Sequence, residues 1–213
     1  MVTVYTANIA QLPDPKENIE VMNSLPKCEI EKILRFRHTS GRKQCLGARL
    51  LQKYVFDLYG VSLEDVTYGE HGKPKVRSIH FNLSHSHDMV VCAVGEREVG
   101  CDIEKTAAIR EKIAERFFCE NEVAHLNVLK GKERDEEFFR LWTMKESYMK
   151  MTGEGMNLDL KRFEFILGAP VKVIRDGKLC DCFVKEYELS DYKLTVCAEE
   201  NEFDEVVKNI ILY

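Results

Sequence analysis

Two carboxylates on one short stretch of this sequence could bind a cation. Residues 99–104 read as a β-strand, and alternation puts Asp102 and Glu104 on one face and Cys101 and Ile103 on the other. Carboxylates at this spacing repel each other unless solvent or a cation separates them. An exposed edge strand would supply the solvent, whereas the apolar flanks favour a cation. Hard oxygen ligands favour Mg²⁺ over zinc.

A third carboxylate and a lysine come from residues 138–150, which the spacing of apolar residues predicts to be an amphipathic helix. Asp135 is the expected N-cap, and Gly153 ends the pattern. Glu146 and Lys150 lie four residues apart, so they project from one face. Taken alone, this spacing is typical of an ordinary surface ion pair. The acidic strand makes a shared site the more interesting hypothesis.

These four side chains together suit phosphoryl or phosphodiester-type transfer. A Mg²⁺ held by few carboxylates completes its shell with substrate phosphate and water. The metal neutralises charge on a pyrophosphate, and a nearby lysine can stabilise or protonate the leaving phosphate. Further phosphates could be held by basic residues upstream: Lys32, Arg42, Lys73 and His85.

Those basic residues lie in varied surroundings. Lys32 falls in a predicted helix over residues 28–36, Arg42 near the start of a second helix closed by Gly60, and Lys73 in a Gly- and Pro-punctuated loop. For most charges on the helices, a solvated face is the alternative. Residues 80–88 start as a strand, and we expect the polar run after Leu83 to break it into a loop that presents hydroxyl and imidazole donors to an anion. The alternative is a hairpin bonded to its own backbone.

The rest of the chain alternates between helices and short strands. Strands are expected over residues 89–94 and 99–104, and helices over 107–118 and 120–129. Strands follow Gly155, with a hairpin signal at Asp176-Gly177. Both halves therefore mix helices with antiparallel strands.

Composition limits the class of protein. The chain has 213 residues, 45% of them hydrophobic, which suffices for one domain or two small ones. A net charge of −5 argues against wholesale nucleic-acid binding. Without an apolar run of about 18 residues or a signal-like N-terminus, we expect neither a membrane span nor secretion. The eight cysteines are expected to be free thiols in a reducing cytoplasm.

Four motifs give the chain a family resemblance: residues 72–74 (GKP), 81–86 (FNLSHS), 99–105 (VGCDIEK) and 139–150 (FRLWTMKESYMK), the last followed by Gly153 and Gly155. In order, spacing and total length the chain resembles the 4′-phosphopantetheinyl transferases of the surfactin-synthetase type. The resemblance implies that coenzyme A is the substrate and that its phosphopantetheine moves to a serine of an apo acyl- or peptidyl-carrier protein, releasing 3′,5′-ADP.

The resemblance also implies residue roles. Residues matching Asp102 and Glu146 bind Mg²⁺ (or Mn²⁺), and Glu104 is a further ligand or close neighbour. Glu146 or Glu104 is the base for the serine, and Lys150 assists the departing phosphate. Contacts to coenzyme A are implied for Lys73, Ser84 and His85, the last with its 3′-phosphate, and more loosely for Lys32 and Arg42.

The implied fold is α/β (α+β), with two similar subdomains related by a pseudo-twofold, each a small antiparallel sheet with helices. The subdomains are residues 1–101 and 102–213, with the active site at their junction, in a monomer. The surface that recognises the carrier is expected to be apolar and partly basic, near that junction and the loop after Phe118. Two alternatives remain: another Mg²⁺-dependent phosphotransferase, and a non-catalytic module that binds carrier proteins.

Overall fold

The computed structural model describes residues 1–109 and 112–212. In the first half, a strand and two helices precede two hairpins. The elements are β1 (Thr3–Asn8), α1 (Lys27–Arg35), α2 (Thr39–Leu58), β2 (Thr67–Tyr68), β3 (Pro74–Lys75), β4 (His80–Ser86) and β5 (Met89–Gly95).

The second half begins with a strand, continues with three helices and ends in strands. The elements are β6 (Val99–Lys105), α3 (Ile113–Phe117), α4 (Glu120–Asn127), α5 (Gly131–Thr152), β7 (Phe163–Ile166), β8 (Lys172–Arg175), β9 (Lys178–Leu179), β10 (Phe183–Leu189), β11 (Tyr192–Ala198) and β12 (Lys208–Asn209).

Two antiparallel sheets lie at the centre of the molecule. One has the order β12-β1-β5-β4, in which only the β12–β1 pair is parallel, and the other has the order β10-β11-β6. Helix α2 packs on the first sheet and α5 on the second. An apolar cluster between the sheets joins Val4 and Val91 to Cys101, Ile103 and Val196. The layer order is therefore helix, sheet, sheet, helix.

This architecture confirms the predicted fold class, with small antiparallel sheets and helices in both halves. One long helix on an antiparallel sheet recurs in each half, as the predicted pseudo-twofold requires. The predicted boundary between residues 101 and 102 falls inside β6, and it stays a prediction. Among the described residues, no helix has both the length and the apolar character needed to cross a bilayer.

Three local predictions were wrong. Helix α5 begins at Gly131, four residues before Asp135, whose carboxylate instead accepts the Ile109 N–H at 3.2 Å. The helix expected over residues 107–118 is found only as α3, and residues 110 and 111 lie outside the described residues. The expected loop after Leu83 is in fact the end of β4, which runs to Ser86. The end of α5 was predicted correctly, since Gly153 closes it with a positive φ of 73°.

A buried ion pair fixes α5 in the second half. Lys145 is fully buried, and its Nζ lies 2.8 Å from Oε2 of Glu122, which is 3% exposed. The same Nζ donates to the carbonyl oxygens of Leu160 (2.7 Å) and Phe163 (2.6 Å). Since Glu122 also accepts the Phe165 N–H at 3.0 Å, the pair ties α4 and β7 to α5. Removing one partner of such a buried pair strongly destabilises the folded protein, because the other charge is left without a partner.

We expect Glu122→Ala to lower the free energy of unfolding by about 3–5 kcal/mol, because it leaves the Lys145 ammonium buried without a counter-charge. Urea unfolding measures this loss. The control is Asp57→Ala, which removes the partner of Lys53 in an exposed pair on α2 and should cost under about 1 kcal/mol. Equal losses for the two variants would contradict the interpretation.

Candidate active site

Helix α5 crosses β6 at Gly100, where the two backbones approach closely. A Cβ on Gly100 would overlap the carbonyl oxygen of Ser147 and the amide nitrogen of Met151. A side chain here would push the helix away from the strand. The close crossing brings the Asp102 carboxylate of the strand to the Lys150 ammonium of the helix.

Polar side chains join β4 to β6, although the two strands belong to different sheets. Oδ1 of Asn82 accepts the Cys101 N–H at 3.0 Å. The Ser84 hydroxyl donates to Asp102 Oδ1 at 2.7 Å, and the Ser86 hydroxyl donates to Glu104 Oε2 at 2.7 Å. We call the contacts of Asn82, Ser84 and Ser86 with β6 the seam. It places the hydroxyls of one half of the chain against the carboxylates of the other.

The Asp102 carboxylate is buried, with 3% of the residue exposed, and its two oxygens differ. Oδ1 accepts from Lys150 Nζ at 2.6 Å as well as from Ser84, and Lys150 also donates to the Ser84 hydroxyl at 3.0 Å. Oδ2 is buried and has no hydrogen-bond partner among the described residues. An unsatisfied buried carboxylate oxygen is costly, so it marks the place where a cation would be favourable.

The other two carboxylates also carry signs of crowding. Burial, and then the charge of Asp102, raise the pKa of Glu146 to about 6, with Lys150 opposing them. Burial is also the largest cause that raises the pKa of Glu104, against the hydrogen bond from Ser86. Three carboxylates thus influence one another across the site, with the Lys150 ammonium facing them.

These residues fit a Mg²⁺ ion. In the part of the chain that the structure describes, no three His, Cys, Asp or Glu side chains are grouped so as to hold a metal by themselves. Mg²⁺ does not require such a cage, since it commonly takes one or two carboxylates together with water and substrate phosphates. The unpartnered oxygen of Asp102 and the crowded Glu104 and Glu146 supply that kind of donor set.

Of the residues predicted to contact coenzyme A, Ser84 and Lys150 lie at this site, and His85 follows Ser84 on β4. Ser84 contacts both Asp102 and Lys150, as described above. His85 is exposed, on the opposite side of β4 from Ser84. Desolvation, and then the charge of Lys150, lower the pKa of His85.

Two other predicted contacts are engaged elsewhere. The Arg42 guanidinium is buried, forms an ion pair with Asp14 and donates to the backbone carbonyls of Phe36 and Arg37. Lys73 Nζ pairs with Glu98 at 2.6 Å and donates to the Met151 carbonyl, at the end of α5, at 2.9 Å. Both side chains hold backbone segments in place.

Lys32 is the third basic residue predicted to contact coenzyme A. Its Nζ is exposed, with Glu29 at 2.7 Å and the Tyr68 hydroxyl at 3.5 Å. Among the described residues, Lys32 makes no contact with Asp102, Glu146 or Lys150. Its role in binding coenzyme A stays a prediction.

An apolar groove of about 770 Å³ begins at Glu104 and runs between α3 and α5. Phe117 and Trp142 meet edge to face in its wall, with ring centroids 5.5 Å apart. Lys112 and Arg116 add positive charge. The groove is therefore apolar and basic, and a carboxylate of the site, that of Glu104, is part of its lining. Its lining comprises Glu104, Ala108, Ile109, Lys112, Ile113, Arg116, Phe117, Phe138, Phe139 and Trp142.

Sequence reasoning missed Ser86, which bonds directly to Glu104. The signal was present, because Asn82, Ser84 and Ser86 recur with a period of two. That period is typical of one face of a strand. From the sequence alone, a loop is nevertheless predicted for this segment, because the residues on that face are polar. A polar strand face against a neighbouring acidic strand is the pattern that would have identified the seam.

Comparison with known proteins gives consistent matches over most of the chain. Residues 98–197 match the family model of the 4′-phosphopantetheinyl transferase superfamily. The chain is 33% identical over 205 residues to the 4′-phosphopantetheinyl transferase Sfp of Bacillus subtilis (strain 168), covering 89% of each protein. It is 38% identical over 161 residues to the 4′-phosphopantetheinyl transferase gsp of Aneurinibacillus migulanus, covering 73% of this chain and 68% of that protein.

Among solved structures, the holo-[acyl-carrier-protein] synthase of Thermotoga maritima matches 47% of this chain and 61% of its own, with 22% sequence identity and a TM-score of 0.37.

The raised pKa of Glu146 has a consequence for stability without metal. The folded state disfavours the charged Glu146 carboxylate, so this charge lowers the free energy of unfolding. The loss of stability is complete above pH 6 and disappears as the pH falls to about 4. We expect Glu146→Gln to stabilise the protein in EDTA at pH 8 by about 1–2 kcal/mol, since one pKa unit corresponds to about 1.4 kcal/mol. Thermal or urea unfolding at pH 8 and pH 4.5 measures it. A gain that is the same at both pH values would point to packing instead of charge.

Proposed function

This chain belongs to the 4′-phosphopantetheinyl transferase superfamily and transfers 4′-phosphopantetheine from coenzyme A to carrier proteins, and we propose that Asp102, Glu104, Glu146 and Lys150 form its active site around a Mg²⁺ (or Mn²⁺) ion. The observation that supports this proposal most directly is the buried Asp102 carboxylate, with Oδ1 bonded to Ser84 and Lys150 and Oδ2 left without a partner among the described residues. Asp102, Glu104 and Glu146 would hold the metal.

The proposed reaction is a displacement at phosphorus. The serine hydroxyl of the apo acyl- or peptidyl-carrier protein attacks the β-phosphate of coenzyme A, a bond forms between the serine oxygen and phosphorus, and 3′,5′-ADP leaves with the bridging oxygen. A bound Mg²⁺ would neutralise charge on the pyrophosphate. Lys150 stabilises or protonates the leaving phosphate, because its ammonium lies at the same site as the three carboxylates.

Glu146 is the proposed base for the serine, directly or through a water molecule. Burial raises the pKa of Glu146 to about 6 in the metal-free protein, and a bound cation would lower it again and favour the charged carboxylate, which is the form that accepts a proton. Within the described part of the chain, no side chain donates a hydrogen bond to its carboxylate. Glu104 is the second candidate for this role, but one of its oxygens is occupied by Ser86.

Coenzyme A is proposed to lie along β4, in contact with Ser84, His85 and Lys150, with its 3′-phosphate at His85. Lys32 is exposed and can turn to a phosphate. Arg42 and Lys73 would have to exchange their present backbone and carboxylate partners for a phosphate to contact coenzyme A directly. Without that exchange, they contribute by holding the surrounding segments.

The carrier protein is proposed to bind in the groove between α3 and α5. Apolar walls and a basic rim at Lys112 and Arg116 suit a partner with an acidic, partly apolar helix. A serine on that helix would reach Glu104 at the end of the groove. The residues that line the groove come from both before and after Phe118 in the chain, and none of them belongs to the loop directly after Phe118 that was expected to take part.

We further propose that the protein acts as a cytoplasmic monomer with subdomains 1–101 and 102–213. In support of the monomer, one chain supplies both sides of the site: β4 contributes the seam hydroxyls, and β6 with α5 contributes the charged groups. No residue from a second copy is needed to complete this arrangement.

Intact-protein mass spectrometry of an apo carrier tests the active site. With coenzyme A and Mg²⁺, we expect the wild-type protein to make the carrier heavier by one phosphopantetheine. EDTA should abolish the shift, and Glu146→Gln should slow it by about 10²–10⁴-fold, the usual contribution of a general base. The matched control is Glu136→Gln, a carboxylate on the same helix whose side chain is 40% exposed. A Glu146→Gln variant as fast as wild type would remove Glu146 from the site.

Charge reversal tests the groove. We expect Arg116→Glu to raise KM for an acidic carrier protein by about tenfold, because like charges across a docking surface oppose association. The KM for coenzyme A should stay unchanged. Lys132→Glu is the control, since this lysine is 90% exposed on α5 and is not part of the groove. Equal KM changes in the two variants would indicate a general charge effect and contradict docking in the groove.

A further inference from the structure

Ser86 makes three polar contacts at the end of β4. The residue is 6% exposed. Its hydroxyl donates to Glu104 Oε2 at 2.7 Å and accepts the Lys105 N–H at 3.2 Å, and Nδ1 of His87 lies at 3.3 Å. A serine hydroxyl has one proton and two lone pairs. Because the Lys105 N–H can only donate and an ionised carboxylate can only accept, the hydroxyl proton of Ser86 is directed at Glu104.

The position of Ser86 is itself fixed by the hairpin that joins β4 to β5. Ser86 pairs with Met89 across a two-residue turn, and His87 in that turn has a positive φ of 50°. The His87 carbonyl accepts a hydrogen bond from Nε2 of Gln44, on α2, at 3.1 Å. The Asp88 carbonyl accepts the Ile9 N–H at 2.8 Å. The hydroxyl therefore rests on a turn that is anchored from two sides.

Glu104 depends on this contact. Within the described part of the chain, Ser86 provides the side-chain hydrogen bond that the Glu104 carboxylate makes. A long side chain at the end of a strand has several rotamers, and a hydrogen bond from a rigid neighbour selects one of them. The bond takes up Oε2 and leaves Oε1 available to a ligand.

The same arrangement recurs one step along the strand. Ser84 donates to one oxygen of Asp102 and leaves the other without a partner, just as Ser86 donates to one oxygen of Glu104. Groups that hydrogen-bond to metal ligands orient them and tune affinity for the metal. Ser84 also contacts Lys150, whereas Ser86 reaches only the metal-binding side of the site.

We propose that Ser86 is a positioning residue that orients Glu104 for Mg²⁺ binding, an inference that rests on the metal site proposed above. Its hydroxyl contacts neither coenzyme A nor the reacting atoms in this proposal. It acts by holding one oxygen of Glu104, so its loss should weaken metal binding more than it weakens the fold.

Calorimetric titration of Mg²⁺ into protein saturated with coenzyme A, without carrier, tests this proposal. We expect Ser86→Ala to weaken Mg²⁺ binding by about 10–100-fold, the usual effect of removing a group that orients a metal ligand. Ser86→Thr, which keeps the hydroxyl, should restore binding. The matched control is Ser147→Ala, since Ser147 is fully buried on α5 and its hydroxyl donates to the Met144 carbonyl at 2.8 Å. That variant should bind Mg²⁺ as wild type does.

Three results would overturn the proposal. The first is unchanged Mg²⁺ affinity in Ser86→Ala. The second is an equal loss in Ser86→Ala and Ser147→Ala that follows a common loss of thermal stability, which would make the role purely structural. The third is a result that removes Glu104 from the metal site: either the wild-type protein binds no Mg²⁺, or the Glu104→Gln variant binds it normally. The proposed metal site would then fail together with the role of Ser86. Failure of Ser86→Ala alone leaves the proposed function intact.

Discussion

The close crossing of α5 over β6 is the constraint on which the site depends. Gly100 permits it, because any Cβ at that position would overlap the helix backbone. Two residues along the strand, Asp102 points to the helix, and Lys150, whose backbone lies at the same crossing, meets it at 2.6 Å. A helix one side chain further away would leave the lysine short of the carboxylate, so the glycine determines the distance between the charged groups.

Lys145 and Glu146 are neighbours on α5, but their charges lie in opposite electrostatic environments. Lys145 points into the second half of the protein, where Glu122 and two carbonyl oxygens satisfy its ammonium completely. Glu146 points to the carboxylates of β6, where burial and the charge of Asp102 raise its pKa. The first arrangement stabilises the position of the helix. The second destabilises the metal-free site, and the helix can tolerate it because the Lys145 pair holds it in place.

The sequence predicted the charged groups well and their surroundings poorly. Period-two alternation placed Asp102 and Glu104 on one face of β6, and helical spacing placed Glu146 with Lys150, because both patterns are local. The partner of Lys145 could not be predicted, since Glu122 is 23 residues away on another helix. Arg42 and Lys73 had the charge expected of phosphate contacts, but carbonyl groups brought near by the tertiary fold engage them. The polar face of β4 was wrongly interpreted as a loop, because its partner is an acidic strand of a different sheet.

That partnership explains why polar residues can face inward on β4. Strands within one sheet form hydrogen bonds between their backbone groups, whereas the contacts between β4 and β6 involve side chains. The Asn82 side chain accepts the Cys101 N–H, and the hydroxyls of Ser84 and Ser86 donate to carboxylates of β6. Buried carboxylates need donors, and buried hydroxyls need acceptors, so each strand satisfies a requirement of the other. The hydroxyls come from the first half of the chain and the carboxylates from the second. The geometry of the carboxylates therefore depends on how the two halves pack, and a change at Asn82 or Ser86 would alter the carboxylates of β6 without removing a proposed contact to the substrate.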